Sequence, residues 1–462
     1  MIKTNIPEFD IKKLLKYDKP GPRYTSYPTV PNFTKNFKVE DFKKALIKSN
    51  EGNKALNLSL YFHIPFCSAG CWFCGCNVFH TRSRELADEY ISYVEKEVKK
   101  VKEFIWDKRY VEQMHWGGGT PSFLTNSQIE RLFTIIKKNF RFQENAEIGI
   151  EIDPRSASRE SIFLMRKLGF NRISMGIQDF DENVQKAIHR IQPYELTKEI
   201  IDYAREANFE SINIDLVYGL PFQNSKNFQN TLDKVMSLSP NRIALFNFAY
   251  LPEKIKIQRA IKAETLPSKE EKLKIFERAI KSFTNSGYVF IGMDHFSKPD
   301  DELYKALLDR TLYRNFQGYN THSGCDLIAF GASSISQVSN SYAQNEKELN
   351  SYQEKVKDFG LGTSLGIWLS EEDILRRDLI TRFMCHFIII KKEFEDKYNI
   401  NFDEHFEKEL KELKIFEKDD LIEIKEDKIE VKPLGRLVIR NICMVFDTYL
   451  ESSKEKIFSR TI

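Results

Sequence analysis

Between residues 58 and 250 the chain alternates short apolar runs with longer amphipathic ones. LSLYFHI (58–64), QMHWGG (113–118), EIGIEID (147–153), RISMGIQ (172–178), SINIDLVYG (211–219) and RIALFNFAY (242–250) have the length and residue types of buried strands. Between them, apolar residues recur every three or four positions. That period predicts helices over 83–104, 126–139, 157–168, 181–189, 195–207 and 225–237. Strands and helices alternating at this spacing specify parallel βαβ units with right-handed crossovers. Six units fall short of a closed eightfold barrel. The expected core is an α/β fold, an open (β/α)6 three-quarter TIM-like barrel of parallel strands.

The flanks read differently. Residues 1–56 form an expected N-terminal arm. Pro20, Pro22, Pro28 and Pro31 break regular structure, and VEDFKKALIKSN then predicts a helix ended by Gly52. After 250 a helix over 268–286 leads to the apolar run YVFIGMDHF. A loop, RNFQGYNTHSG (314–324), precedes DLIAFGASSIS. The stretch 341–462 reads as a mainly helical C-terminal domain. In it LIEIKEDKIEVK (421–432) alternates like a winged-helix hairpin, and a last helix covers 435–450. The expected division is therefore 1–56, 57–340 and 341–462.

Composition narrows the function classes. At 41% apolar and 13% aromatic, a chain of 462 residues can bury a sizeable core. Seventy basic against 67 acidic residues leave a formal charge of +3, interspersed rather than gathered on one face, so nucleic acid is not an expected partner. No apolar run approaches a membrane span and the start lacks a secretory signal. Seven cysteines, an odd number, do not resemble a disulfide framework, so a cytoplasmic protein with reduced thiols is expected; a monomer is the expected assembly.

Four of those cysteines, Cys67, Cys71, Cys74 and Cys76, lie within ten positions directly after the first strand. The first three have the form C-x-x-x-C-x-x-C. Structural zinc normally takes two separated cysteine pairs, and no second pair follows. Thiolates suit iron–sulfur chemistry, and three of them on a short loop would leave one iron of a 4Fe-4S cluster open to a ligand. Zinc and incidental packing are the weaker alternatives. Cys76 lies beyond easy ligand spacing. Gly117, Gly118, Gly119 and Thr120 end the second strand, where missing β-carbons let backbone approach a ligand. Glu151, near the end of the third, can take ribose hydroxyls. Arg190 can pair with a carboxylate. Asp215, inside a strand, is costly to bury unpaired. Cys325, Cys385 and Cys443 read as small buried hydrophobes.

HIPFCSAGCWFCGCN resembles the cluster motif of the radical S-adenosylmethionine enzymes. With its Cys-Gly-Cys at 74–76 it is similar to the oxygen-independent coproporphyrinogen III oxidases of haem synthesis. The likeness continues through HWGGGTPSFL (115–124), IEIDPR (150–155), GFNRISMGIQDF (169–180), NIDLVYGLP (213–221), GMDHF (292–296), RNFQGY (314–319), YAQN (342–345) and RNICMVFDTYL (440–450).

The resemblance implies that Cys67, Cys71 and Cys74 hold a 4Fe-4S cluster. It implies two molecules of S-adenosylmethionine, the first meeting Tyr61, Gly118, Glu151 and Ile335. The second would meet Phe73, Gly119, Thr120, Gln178, Arg190, Asp215 and Ala249. Cys76, Phe316 and Gln317 would lie near the reaction. The implied chemistry begins with a 5′-deoxyadenosyl radical. Two propionates of coproporphyrinogen III become vinyl groups, giving protoporphyrinogen IX. A reductant of flavodoxin or ferredoxin type and an electron acceptor would be partners. Arg23, Arg314, Arg376, Arg377, Arg436 and Arg440 are candidate contacts for the substrate carboxylates. A related haem-chaperone lineage is the main alternative, and it generally lacks Cys-Gly-Cys and an RNFQGY-type segment.

Overall fold

The structure is a computed structural model that describes residues 8–51, 56–450 and 458–461. In chain order the strands are β1 Asn57–Ile64, β2 Phe66–Cys67, β3 Phe79–His80, β4 Tyr110–Gly118, β5 Arg141–Ile152, β6 Arg172–Gln178, β7 Ser211–Tyr218, β8 Arg242–Asn247, β9 Val289–Gly292 and β10 His295–Ser297. They continue as β11 Tyr313–Asn315, β12 Gly318–Asn320, β13 Cys325–Phe330, β14 Ile335–Val338, β15 Ser341–Asn345, β16 Thr363–Trp368, β17 Ile388–Ile390, β18 Ile422–Ile424 and β19 Lys428–Val431.

The six expected strands are β1, β4, β5, β6, β7 and β8, paired in that order and all parallel. Helices over Glu85–Lys102, Asn126–Asn139, Arg159–Leu168, Glu182–Ala187, Tyr194–Glu206 and Phe228–Leu238 occupy the crossovers. Local chemistry sets their ends. Thr125 caps the second, accepting from Gln128 N while the Gln128 side chain returns to Thr125 N. Gly169, at φ +116°, stops the third in a conformation that L side chains rarely adopt. Leu58, Leu60, Phe62 and Ile64 of β1 and Ile212, Ile214 and Leu216 of β7 give each strand one fully apolar face, while Tyr61, His63, Asn213 and Asp215, at alternate positions, carry polar groups.

The sheet is wider than the six-stranded expectation. β13 pairs parallel to β1 on its outer side, with Asn57 opposite Cys325 and Phe62 opposite Phe330, so seven strands run the same way. Antiparallel β14, β15 and β16 continue that edge, and antiparallel β10 and β9 extend the other. DLIAFGASSIS is therefore a strand and the start of its return. RNFQGYN is not a loop: β11 and β12 pair as a hairpin, with Asn315 opposite Gly318. The expected boundary at 340 would cut between the paired strands β14 and β15. β16 runs to Trp368, so the sheet continues past that expected boundary.

Beyond it lies a second core. The helix Glu371–His386 packs against Ile439–Met444 and against a three-stranded sheet in the order β17-β19-β18. The 421–432 hairpin is present and gains β17 as a third strand. The last helix is shorter than expected: Leu434–Val438 is a 3-10 turn and Ile439–Met444 an α-helix. In the N-terminal arm, Phe37, Val39, Phe42, Ala45 and Leu46 pack into the barrel core, whereas the first half of the arm belongs to this second core. Tyr17, Tyr24 and Tyr27 are buried there, Tyr24 Oη donates to Asp447 at 3.0 Å, and Arg440 donates to the carbonyls of Pro22 (2.8 Å) and Gly21. The expected arm helix is observed over Val39–Lys48, whereas Gly52 lies outside the described residues.

One buried carboxylate ties the added strands to the barrel. Glu97, on the first crossover helix, accepts from Gly331 N (2.9 Å), Gly362 N (3.1 Å), Asn345 Nδ2 (2.8 Å) and Tyr352 Oη (2.8 Å). Glu97→Ala would strand four buried donors. The expected loss is roughly 3–5 kcal/mol of stability, with a smaller loss for Glu97→Gln, read by denaturant unfolding of both variants beside the parent.

Candidate functional site at the carboxyl ends of the strands

Parallel strands bring their carboxyl ends to one rim, and open α/β sheets bind ligands there. β1 delivers the cysteine loop to that rim. Cys67 follows two residues beyond Pro65, Cys71 is buried, Cys67 and Cys74 are half-buried and Cys76 is exposed. The next strand clamps the chain as it leaves β1: Gly119 N donates to Ile64 O (2.8 Å) and Thr120 N to Phe66 O (3.0 Å). A β-carbon on Gly119 would sit 2.7 Å from Phe66 O, and one on Gly118, at φ +119°, 2.8 Å from the His63 ring. These glycines are therefore needed to close the rim. The amides of Gly119 and Thr120 are spent in the clamp. The Thr120 hydroxyl is also engaged, with Ser122 Oγ (2.8 Å) and Asp153 N (3.0 Å).

The loop is held on its far side by the segment after Glu182–Ala187. Trp72 N donates to Ile188 O (2.9 Å), the Trp72 ring stacks on His189, and His189 Nδ1 meets Gly70 O at 2.8 Å. Gln258, fully buried, donates to both Phe73 O (3.1 Å) and Ala249 O (3.0 Å), joining two of the expected contacts.

Cys71 faces two cations. Arg155 Nη2 lies 3.5 Å and Arg190 Nη1 3.6 Å from its sulfur. Both guanidiniums share the Asp153 carboxylate, at 2.6 and 3.1 Å, and Arg190 also donates to Gly176 O at 2.5 Å. Burial opposes ionisation of Asp153, but Arg190 and Arg155 more than offset it and hold its pKa below the usual carboxylate value. Burial, then the neighbouring Cys74 and Cys71 thiols, pushes Cys67 up to about 12, whereas a hydrogen bond from Cys76 brings Cys74 down to about 7. Three sulfurs on one loop, backed by fixed positive charge, are a fitting donor set for an iron–sulfur cluster.

Inside the barrel Glu151, Asp215 and Gln317 line one polar cavity with His115, Ser174, Asn213 and Tyr319. Glu151 Oε1 lies 3.2 Å from His115 Nε2, its Oε2 accepts from Gly118 N at 3.4 Å, and a β-carbon on Gly117 would lie 2.9 Å from its carboxylate. The Tyr61 ring lies parallel to that of His115, and its hydroxyl points at His63 Nδ1 (3.3 Å). His63 Nε2 reaches Asn77 O at 2.9 Å, connecting the cavity wall to the end of the cysteine loop. Asp215 accepts from Asn213 Nδ2 (2.7 Å) and Ser174 Oγ (3.4 Å); burial, then the nearby Glu151, raises its pKa to about 7. Gln178, at φ +71°, ends β6 with its amide packed over Gly176, beside Arg190. Phe316 and Ile335 instead join a separate apolar cluster with Phe33, Tyr342 and Leu369.

Sequence reasoning did not single out Asp153, Arg155, His63, His115 or Gln258. IEIDPR contained the first two and YFHI the third, but the partners that tie them to the cysteine loop and its support, Cys71, Arg190 and Asn77, lie 14 or more positions away.

The Radical SAM superfamily model matches residues 61–235, the cysteine loop and the barrel strands through β7, and the HemN C-terminal domain matches 369–438. The chain thus has the radical S-adenosylmethionine fold and cofactor set: a 4Fe-4S cluster and S-adenosylmethionine. It is 47% identical to the oxygen-independent coproporphyrinogen III oxidase of Synechocystis over 98% of both chains. Against that of Escherichia coli K12 the figure is 44%, over 98% of this chain and 99% of the other. The solved Escherichia coli coproporphyrinogen III oxidase (HemN), a radical SAM enzyme, superposes with a TM-score of 0.92 at 43% identity, over 96% of this chain and all of that one. The chain belongs to the oxygen-independent coproporphyrinogen III oxidase family.

The raised Asp215 pKa has a signed consequence. Its folded value of about 7 lies above the unfolded value near 3.9. The group therefore costs nothing below about pH 4 and progressively destabilises the ligand-free fold as pH rises to 7. Asp215→Asn is expected to gain on the order of 2 kcal/mol relative to the parent between pH 5 and pH 8. Unfolding curves of both ligand-free proteins at the two pH values check this; a pH-independent difference contradicts it.

Proposed function

We propose that this chain carries out the oxygen-independent oxidative decarboxylation of two propionate side chains of coproporphyrinogen III to vinyl groups, giving protoporphyrinogen IX. The observation that carries the reading is the thiol triad at the strands' carboxyl rim, opening beside a cavity walled by Glu151, Asp215 and Gln317. Family membership over nearly the whole chain supports it.

Cys67, Cys71 and Cys74 would hold the cluster, and bound S-adenosylmethionine would supply a 5′-deoxyadenosyl radical for hydrogen abstraction. The chain's own residues orient and shield. Arg155 and Arg190 place positive charge within 3.5 and 3.6 Å of the Cys71 sulfur. Arg190 is committed to Asp153 and Gly176 O, so we assign it to positioning the loop rather than to gripping a cofactor carboxylate. Tyr61, Gly118, Glu151 and Ile335 would face the first S-adenosylmethionine. Phe73, Gly119, Thr120, Gln178, Asp215 and Ala249 would face the second, with Gly119 and Thr120 contributing surfaces other than their amides. Cys76, exposed and hydrogen-bonded to Cys74, is available as a hydrogen or proton donor near the reaction, with Gln317 on the cavity wall and Phe316 behind it. A flavodoxin- or ferredoxin-type reductant and a separate electron acceptor complete the cycle. We assign a monomer in the cytoplasm, where the seven free cysteines would stay reduced.

The arginine candidates separate by what they already hold. Arg376 is bound to Glu409 (2.7 Å), Glu372 (2.5 Å) and Phe446 O (3.0 Å), and Arg440 to the arm. Arg436 and Arg377 lie in the second core and its outer groove. Each has one buried donor without a protein partner among the described residues, Arg436 Nε and Arg377 Nη1, whereas Arg314 has two, Nε and Nη1, is 6% exposed and lies over the Tyr319 ring at 4.8 Å. Tyr319 lines the cavity, and Arg23 pairs nearby with Asp294 at 3.5 Å. Buried donors without acceptors favour an anionic ligand. Arg314 and Arg23 are the contacts we assign to substrate carboxylates.

Reconstituted protein assayed anaerobically with coproporphyrinogen III, S-adenosylmethionine and a reductant is expected to form the divinyl product. A failure under conditions in which the Escherichia coli enzyme turns over would sink the reading. In the same assay Arg314→Met should raise KM roughly tenfold or more, the loss of a charge-assisted contact, with the cluster's absorbance unchanged. Arg376→Met should instead lower thermal stability.

A further inference from the structure

At the opposite end of the same strands a second group of metal-ligating side chains comes together. Cys325 opens β13, Glu112 lies near the start of β4, and His322 occupies the turn between the β11–β12 hairpin and β13. β1, whose first residue pairs with Cys325, separates the two strands, so the site spans three adjacent strand beginnings. The cysteine loop leaves the other end of β1, ~23 Å along an eight-residue strand.

The ligand atoms are close enough to share one ion. Cys325 Sγ lies 3.4 Å and His322 Nδ1 3.6 Å from Glu112 Oε2, and the three atoms all fall within 4.8 Å of one another. A tetrahedral ion with ligand distances of about 2.0–2.3 Å needs ligand atoms about 3.3–3.8 Å apart, which two of the three separations already satisfy. The surroundings are those of a supported site. The other ring nitrogen of His322, Nε2, faces Glu147 Oε2 at 3.8 Å, the carboxylate–histidine arrangement that orients metal-bound imidazoles. Glu147 is itself fixed by Arg172 (2.9 Å) and Gln113 (2.8 Å). Glu112 Oε1 is held by Asn57 (2.5 Å) and Gln143 (3.1 Å), leaving Oε2 toward the other two ligands. Asn320 Oδ1 accepts from the backbone N of His322 at 3.0 Å.

We propose that Glu112, His322 and Cys325 bind one zinc ion with a fourth position open to water. A sulfur, an imidazole and a carboxylate are the donor types zinc shares among its three-ligand sites, whereas magnesium and calcium take oxygen. Binding displaces the thiol proton that Cys325 now shares with Glu112 and, from a protonated His322, the proton on Nδ1; both go to solvent. The ion would tie the connection that follows Gln317 to the amino rim of the sheet. Cys325 is thus not the small buried hydrophobe its isolation in the sequence suggests.

The test uses the protein with its iron–sulfur cluster assembled, titrated anaerobically with Co2+ as a spectroscopic probe and then with Zn2+. The parent is expected to bind one equivalent of Co2+, develop a thiolate-to-cobalt charge-transfer band, lose it to Zn2+, and melt at a higher temperature with zinc present. The band should vanish in Cys325→Ser and weaken at least tenfold in apparent affinity in His322→Gln. It should persist when Cys67, Cys71 and Cys74 are all replaced by serine. A parent that develops no band, or a band retained in Cys325→Ser or lost with the three loop cysteines, overturns the site. A protonated His322 bridging two carboxylates is then its whole role. Should Cys325→Ser not fold, the parent's band and its survival in the loop-cysteine variant still decide between these outcomes.

Discussion

Everything chemical in this molecule depends on seven strands running in one direction. Parallel pairing forces each carboxyl end to the same rim, so residues far apart in the chain reach one place without special steering. β1 carries the cysteine loop, β4 the glycines, β5 Glu151 and Asp153, β6 Gln178 and the approach to Arg190. The register does the rest. Ile64 opposite Gly118 sets the two exits side by side, and only backbone without β-carbons lets them hydrogen-bond at that distance.

At that rim the protein spends buried charge where a neutral packing would be more stable. Asp153 with Arg155 and Arg190 is a desolvated triad, and such groups rarely repay their desolvation. Their placement explains the cost. Both guanidiniums lie within reach of the Cys71 sulfur and set fixed positive charge beside the thiol triad. Glu151 and Asp215 do the reverse on the cavity side. Burial, then the charge of Glu151, raises the Asp215 pKa to about 7, and a cationic ligand would oppose that shift.

The barrel strands and the thiol triad were legible in the sequence because both are local patterns. The strands show as apolar runs of set length, and C-x-x-x-C-x-x-C fits within one loop. What escaped was set by partners distant in the chain. DLIAFGASSIS carries no helix before it, so nothing marks it as the seventh parallel strand; only its pairing with β1 does so. YAQN and TSLGIW look like the margins of a helical domain until β15 and β16 pair with the sheet. RNFQGYN has no Asn-Gly turn to announce a hairpin. Asp153, Arg155 and Gln258 look like surface polar residues, and their roles come from contacts 37, 84 and 185 positions away.

The arm and the second core show why the chain needs both flanks. Tyr24 and Tyr27 are buried against the helices after residue 370, and Arg440 holds the arm's carbonyls at Gly21 and Pro22. Arg23 sits between these two anchors and reaches Asp294 and Asn247 O at the barrel edge. Arg314, on the hairpin between the two cores, presents its unpaired donors next to Tyr319. An open barrel exposes a gap between its edge strands. Here the arm and the hairpin bring Arg23 and Arg314 toward that gap from two separate parts of the chain, with the second core anchoring the arm. A tetra-acid substrate entering there would bind to the elements that join the two cores, so its binding would strengthen their association.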